Sequence, residues 1–106
     1  TVYDTPYGEV VGYENHSGVT MLDDVSLALG TVKQGDGNNG QDGTEGCRLH
    51  NVFGTYSHGP VLVKNPGLAD ELLRLALSRR YEDIELPPLD DTLENAAHTT
   101  ATSRPR

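Results

Sequence analysis

The sequence predicts an α/β fold, and three features indicate it. Short runs rich in β-branched and aromatic residues alternate with turn residues, one segment has helical apolar spacing, and a long glycine-rich loop interrupts the strand candidates. With 106 residues, of which 35% are hydrophobic, the chain suffices for one small domain or part of a larger one. Because it begins at Thr1 and not at methionine, we expect a chain cut from a longer precursor.

Three strands are predicted along the first half of the chain. The first covers residues 9–14 and ends at the Asn-His-Ser-Gly turn of residues 15–18, and the second covers residues 29–33. Residues 35–46 are rich in Gly, Asn and Asp, which adopt positive φ angles at low cost, so a flexible polar loop is predicted there. The third strand covers residues 48–56 and leads to His58.

The second half of the chain is predicted to be helical. Asn65 has the residue type of an N-cap, Pro66 suits the first helical position, and leucines then recur at helical spacing up to about Arg80. A Pro-Pro pair marks a break, after which a short helix is predicted over residues 89–97. Residues 98–106 have no apolar periodicity, so a disordered tail is predicted.

The charge balance argues against several kinds of partner. A net charge of -8, from 16 acidic and 8 basic residues, disfavours nucleic acids and anionic membrane surfaces. No apolar run approaches the length of about 20 residues that a membrane span needs, so no membrane insertion is expected. Cys47 is the single cysteine, which excludes a disulfide framework and favours a reducing, cytoplasmic setting.

No cofactor and no metal ion are predicted. Residues 35–40 match GxGxxG, but residues 41–44 lack the apolar period of the helix that a dinucleotide site requires. The same loop fails the EF-hand template, although a looser ion site stays an alternative to a flexible polar loop. The four histidines do not have metal-ligand spacing; they are His16, His50, His58 and His98.

A nucleophile for His58 is hard to find in the sequence. Ser57 is its neighbour, and neighbouring residues on an extended chain point to opposite faces. Cys47 follows a glycine loop and enters a predicted strand, whereas reactive cysteines usually lie at a helix N-terminus or beside a cation. We therefore favour Cys47 as a small half-buried residue and keep a Cys47–His58 hydrolase as an alternative.

Two segments together resemble a known family. Residues 12–18, GYENHSG, are similar to the GYExHxG segment of cobyric-acid-synthase-like class I glutamine amidotransferases, and residues 54–59, GTYSHG, are similar to their GTYxHG segment. That second segment holds the catalytic histidine in the family. Residues 37–40, 42–46 and 64–70 further resemble one subgroup, the glutaminase subunit of lipid II isoglutaminyl synthase.

The resemblance covers about residues 10–89 and implies a fold and an activity. Residues 1–88 are expected to form the C-terminal part of an amidotransferase domain. In such domains a cysteine at a strand–helix elbow attacks the side-chain amide of the glutamine substrate, and His58 would be its general acid–base. The ammonia would pass to a Mur-ligase-like synthase subunit that amidates the D-glutamate α-carboxyl of the peptidoglycan stem.

Two departures from the family pattern qualify this prediction. The family's elbow cysteine lies N-terminal to both motifs, outside this sequence, so the isolated chain is expected to be inactive. Many class I relatives have an acid two residues after the histidine, where this sequence has Pro60; Glu14 is the candidate replacement, and His16 is a second supporting candidate. A non-catalytic module that docks a partner through the glycine loop or the helix face is the alternative function.

Overall fold

The computed structural model describes residues 1–81 and 87–104 and confirms the α/β class. Antiparallel strands form a four-stranded sheet of order β2-β1-β3-β4 and a two-stranded β5-β6 sheet. The strands are β1 Val2–Thr5, β2 Gly8–Val11, β3 Gly30–Gln34, β4 Thr44–Glu45, β5 Cys47–Leu49 and β6 Val52–Gly54. The helices are α1 Val61–Lys64, α2 Pro66–Arg80 and α3 Thr92–Ser103, with a short 3₁₀ helix at Val25–Leu27.

The core forms around β1, a strand that sequence analysis did not predict. Tyr3 of β1 lies opposite Val10 of β2 and Val32 of β3, and it is fully buried. Leu29 and Leu68 complete the buried cluster with Tyr3 and Val10. Helix α2 therefore packs its apolar side against one face of the four-stranded sheet, and Leu68 makes the buried contact.

The predicted single strand over residues 48–56 is wrong, because the segment folds into the β5-β6 hairpin. Cys47 pairs with Gly54 and Leu49 with Val52, and the turn between the strands includes His50, whose φ is 54°. An alternating run does not reveal a two-residue reversal inside it when neither Gly nor Pro marks the turn. The consequence is that residues 55–58 leave the hairpin as a separate extended segment.

The prediction of a flexible loop over residues 35–46 is also corrected, because the side chain of Asn38 holds the loop in a defined shape. The side chain of Asn38 is buried and donates to Thr44 Oγ1 and to the Gly46 carbonyl oxygen, both at 3.0 Å. Its Oδ1 accepts the Gly46 amide at 2.8 Å. Residues Thr44–Glu45 thereby join the sheet as β4, paired with the first residues of β3.

Helix α2 has the predicted bounds, whereas α3 differs from the prediction. Helix α3 runs through residues 98–103, for which disorder is predicted, while residues 105 and 106 lie outside the described residues. His98 holds the helix in place: its Nδ1 lies 2.9 Å from the Lys64 carbonyl oxygen, and its Nε2 lies 3.5 Å from Glu9 Oε1. Contacts between residues so far apart in the sequence do not produce a local periodic pattern, so the sequence does not predict this part of the helix.

Asn65 precedes α2 but does not cap it with its side chain. Its buried amide pairs with the edge strand β2 instead: Oδ1 accepts the Val11 amide at 2.8 Å, and Nδ2 donates to the Val11 carbonyl at 2.8 Å. Nδ2 also donates to the Val61 carbonyl at 2.7 Å. The side chain thus satisfies the backbone groups that an edge strand otherwise exposes.

We expect Asn65→Ala to lower the free energy of unfolding by about 2–4 kcal/mol, because it leaves buried backbone groups of Val11 without partners. Asn95→Ala, at an exposed position of α3, is the matched control and should change it by less than about 0.5 kcal/mol. Denaturant titration of both variants checks the prediction. Equal effects of the two changes would contradict the role given to Asn65.

Candidate functional site

The two motif segments, residues 12–18 and 54–59, lie side by side. The His58 amide donates to the Tyr13 carbonyl at 3.0 Å, and the Tyr13 amide donates to the His58 carbonyl at 3.4 Å. Their rings stack with centroids 5.4 Å apart. A Cβ at Gly12 would lie 2.9 Å from Ser57 Cβ and 3.0 Å from the His58 carbonyl oxygen, so the close approach requires glycine there.

His58 is exposed at the end of this pairing. Gly59 follows it with a φ of 87°, and a Cβ there would lie 2.6 Å from a Tyr13 ring carbon. The chain turns away immediately after the histidine and leaves the imidazole accessible. An imidazole in such a place can be reached by a substrate or by another side chain.

His16 joins the two segments through its ring. The ring stacks on Tyr56 with centroids 3.6 Å apart and 6° between the planes, and Tyr56 contacts Thr20 through their hydroxyls at 2.7 Å. His16 Nδ1 donates to the Gly18 carbonyl at 2.8 Å, and Nε2 lies 3.5 Å from Glu14 Oε2. Both ring nitrogens therefore face partners within the first motif.

Glu14 connects the first motif to the glycine loop. Its Oε1 accepts the amides of Asp36 at 3.1 Å and Gly37 at 2.9 Å, and it also accepts the Thr1 hydroxyl. Burial acts to raise the pKa of Glu14, but these hydrogen bonds and His16 outweigh it, so the pKa lies below its ordinary value. Glu14 is therefore a carboxylate at neutral pH.

A buried carboxylate that sequence reasoning missed, Glu45, lies beneath the second motif. Its two oxygens lie 2.9 Å from Thr55 Oγ1, and its Oε1 accepts the Tyr56 amide at 2.8 Å. Tyr3 and Thr55 are joined through their hydroxyls at 3.1 Å, and the Ser57 hydroxyl donates to the Tyr3 hydroxyl at 3.2 Å. This glutamate network ties residues 55–57 to β1 and β4.

Burial changes the acidity of both ionisable groups in the glutamate network. Desolvation raises the pKa of Glu45, against the opposing hydrogen bonds from Tyr56 and Thr55. Desolvation, together with the charge of Glu45, raises the pKa of the Tyr3 phenol to about 12. The phenol therefore stays neutral at physiological pH.

Cys47 lies on the hairpin, opposite Gly54. Its half-buried side chain lines a cavity of about 150 Å³. The other lining residues are Thr20, Asn38, Gly46, Gly54, Thr55 and Tyr56. Arg48 follows it in sequence, but that guanidinium lies over the rings of Tyr7 and Phe53, at 5.3 and 4.7 Å from their centroids.

The sequence model of the CobB/CobQ-like glutamine amidotransferase domain matches residues 2–66, which include both motif segments. The chain belongs to this family. The resemblance drawn from the two motifs is thereby confirmed. The matched range ends at Pro66, so it contains the sheet, the hairpin and α1, while most of α2 and all of α3 lie beyond it.

Several curated members of amidotransferase systems are similar to this chain. Subunit GatD of lipid II isoglutaminyl synthase (glutamine-hydrolyzing) from Streptococcus pneumoniae is 47% identical over 83 residues, covering 77% of this chain and 32% of that protein. The GatD subunit from Staphylococcus aureus is 42% identical over 88 residues, covering 83% and 35% respectively. A probable cobyric acid synthase from Methanoculleus marisnigri is 40% identical over 90 residues, covering 85% and 16%.

The chain thus spans about a third of the length of the GatD subunits that it matches. Within this amidotransferase domain, His58, Glu14 and His16 lie where the two motifs meet; their catalytic and supporting roles stay predictions. Among residues 1–81 and 87–104, no group of three or more His, Cys, Asp or Glu side chains is placed to hold a metal ion. No helix in that part of the chain is long and apolar enough to cross a membrane.

Proposed function

We propose that this chain carries the acid–base part of a glutaminase, which releases ammonia from glutamine for a partner synthase. The observation that carries the proposal is the pairing of the two motif segments, which holds an exposed His58 between Tyr13 and the Gly59 turn. Membership of the amidotransferase family supports glutamine as the substrate.

In the proposed reaction, His58 moves protons in both half-reactions. It takes the proton of a cysteine thiol as the thiolate attacks the side-chain amide carbon of glutamine, and it returns that proton to the departing ammonia. The resulting γ-glutamyl thioester is then hydrolysed: His58 removes a proton from the attacking water and returns it to the cysteine sulfur. Glutamine and water are thus converted to glutamate and ammonia.

The nucleophile in this proposal is a cysteine outside residues 1–106. Cys47 sits on a two-stranded hairpin and not at a helix N-terminus, and the neighbouring guanidinium is engaged with two aromatic rings. Cys47 therefore lacks both of the surroundings in which reactive cysteines are usually found. Cys47 serves in our proposal as a small residue of the hairpin.

The names of two relatives support the proposed ammonia acceptor. Both are subunits of lipid II isoglutaminyl synthase. We infer that ammonia passes to a Mur-ligase-like synthase subunit, which amidates the α-carboxyl of D-glutamate in lipid II. We propose that the reaction takes place in the cytoplasm, as part of peptidoglycan synthesis.

The test is reconstitution of the full-length protein with its synthase subunit, glutamine, ATP and lipid II. We expect glutamate to form and lipid II to gain an amide. The glutaminase proposal would be contradicted if lipid II gained an amide only when free ammonia was added and no glutamate formed. Binding to the synthase without glutamine hydrolysis would favour the non-catalytic docking module instead.

A further inference from the structure

We propose that Glu45 is a positioning residue for His58, which it holds in place through residues 55–57 without touching the substrate. The proposal rests on the proposed function in one respect, that His58 does the proton transfer. Its structural part, the control of the His58 backbone by a buried carboxylate, stands on the geometry alone.

The first argument is the burial of Glu45. Its side chain has no exposed surface, and burying a carboxylate is costly unless hydrogen bonds replace the lost water. Two of those hydrogen bonds come from the Thr55 hydroxyl and the Tyr56 amide, in the segment that leads to His58, and the Tyr3 hydroxyl of β1 contributes a further one. An apolar side chain would fill the space but would leave the partly buried Tyr56 amide without its acceptor.

The second argument is the continuity of the hydrogen bonds up to the histidine. Thr55 Oγ1, held by Glu45, accepts the Ser57 amide at 3.0 Å. Ser57 is also bound through its hydroxyl to Tyr3, and the next amide in the chain, that of His58, donates to Tyr13. Each residue from 55 to 58 thus has a defined partner, and Glu45 accepts the first two contacts of the series.

The third argument is the sensitivity of catalysis to position. A catalytic group displaced by about 1 Å costs on the order of 100-fold in rate. If Glu45 fixes the segment before His58, its loss lowers kcat for glutamine hydrolysis while the KM for glutamine changes little. A residue that only stabilises the fold would instead lower the amount of active protein.

The experiment compares variants of the full-length protein in complex with its synthase. Glu45→Gln keeps one acceptor oxygen, whereas Glu45→Leu keeps none; Thr55→Val removes the hydroxyl that Glu45 holds, and Thr55→Ser retains it. Thr102→Val is the matched control, since it removes a half-buried hydroxyl of α3 that donates to the His98 carbonyl at 2.8 Å and takes no part in the glutamate network. Two readouts are measured: kcat and KM for glutamine, and amide hydrogen exchange at His58 relative to the amides of α2.

We expect Glu45→Leu and Thr55→Val to lower kcat by at least about tenfold with KM changed less than about twofold. We also expect them to speed exchange at His58 by at least about tenfold relative to α2. Glu45→Gln should be intermediate, Thr55→Ser near wild type, and Thr102→Val without a selective effect at His58. If Glu45→Leu fails to fold, the two Thr55 variants decide.

Two outcomes would overturn the positioning role: exchange at His58 that rises only in parallel with α2, or a Thr102→Val effect at His58 as large as that of Thr55→Val. Failure of the proposed function would look different. In that case the wild-type complex would form no glutamate, and the exchange measurements would still decide whether Glu45 holds the His58 segment.

Discussion

Replacing His58 with alanine in the full-length protein is expected to lower the rate of glutamine hydrolysis by about 10²–10⁴-fold, the usual contribution of a general acid–base. The reason is that, in the proposed mechanism, His58 takes the thiol proton and protonates the departing ammonia. Within residues 1–81 and 87–104, the exposed imidazole makes no contact beyond its stacking on Tyr13, so the melting temperature should change little. Steady-state kinetics of glutamate formation, with thermal unfolding in parallel, measures both quantities.

The matched control for this change is His50→Asn. His50 is an exposed turn residue with a φ of 54°, and asparagine tolerates that conformation well. We expect the rate of glutamine hydrolysis to stay within about twofold of wild type, as for most surface substitutions far from a site. A His58→Ala variant that keeps more than a tenth of the wild-type rate would contradict the acid–base role.

The second large effect concerns the 106-residue chain by itself. We expect it to release no ammonia from glutamine, because its single cysteine, Cys47, is not the proposed nucleophile. The measurement is a coupled glutamate assay on the purified chain, with circular dichroism to verify that the sheet and helices form. A folded chain that hydrolyses glutamine would favour the Cys47–His58 hydrolase, and loss of that activity in Cys47→Ala would establish it.

The parts of the fold that were predictable from the sequence are those specified by neighbouring residues. Helix α2 has an Asn-Pro start and leucines at helical spacing, and these local signals suffice to place it at Pro66–Arg80. The role of Asn65 was not predictable, because its partner Val11 is 54 positions away in the chain. An asparagine side chain can cap a helix, but it can also form the hydrogen bonds to an edge strand that a neighbouring strand would otherwise form.

The same distinction applies to the candidate site. His58, Glu14 and His16 are predicted from the two paired motifs, whereas no role is predicted for Glu45, because its segment, residues 42–46, reads as part of a polar loop. A two-residue strand such as β4 is too short to show alternation. Only the three-dimensional pairing of β4 with β3 places the Glu45 carboxylate under Thr55 and Tyr56.

The most direct test of the account is to locate the cysteine that reacts with glutamine. The full-length protein, in complex with its synthase, is treated with an electrophilic glutamine analogue, and mass spectrometry identifies the modified peptide. We predict a label on a cysteine outside residues 1–106, with Cys47 unmodified and labelling greatly slowed in His58→Ala. A label on Cys47, or labelling at an unchanged rate without His58, would contradict the account.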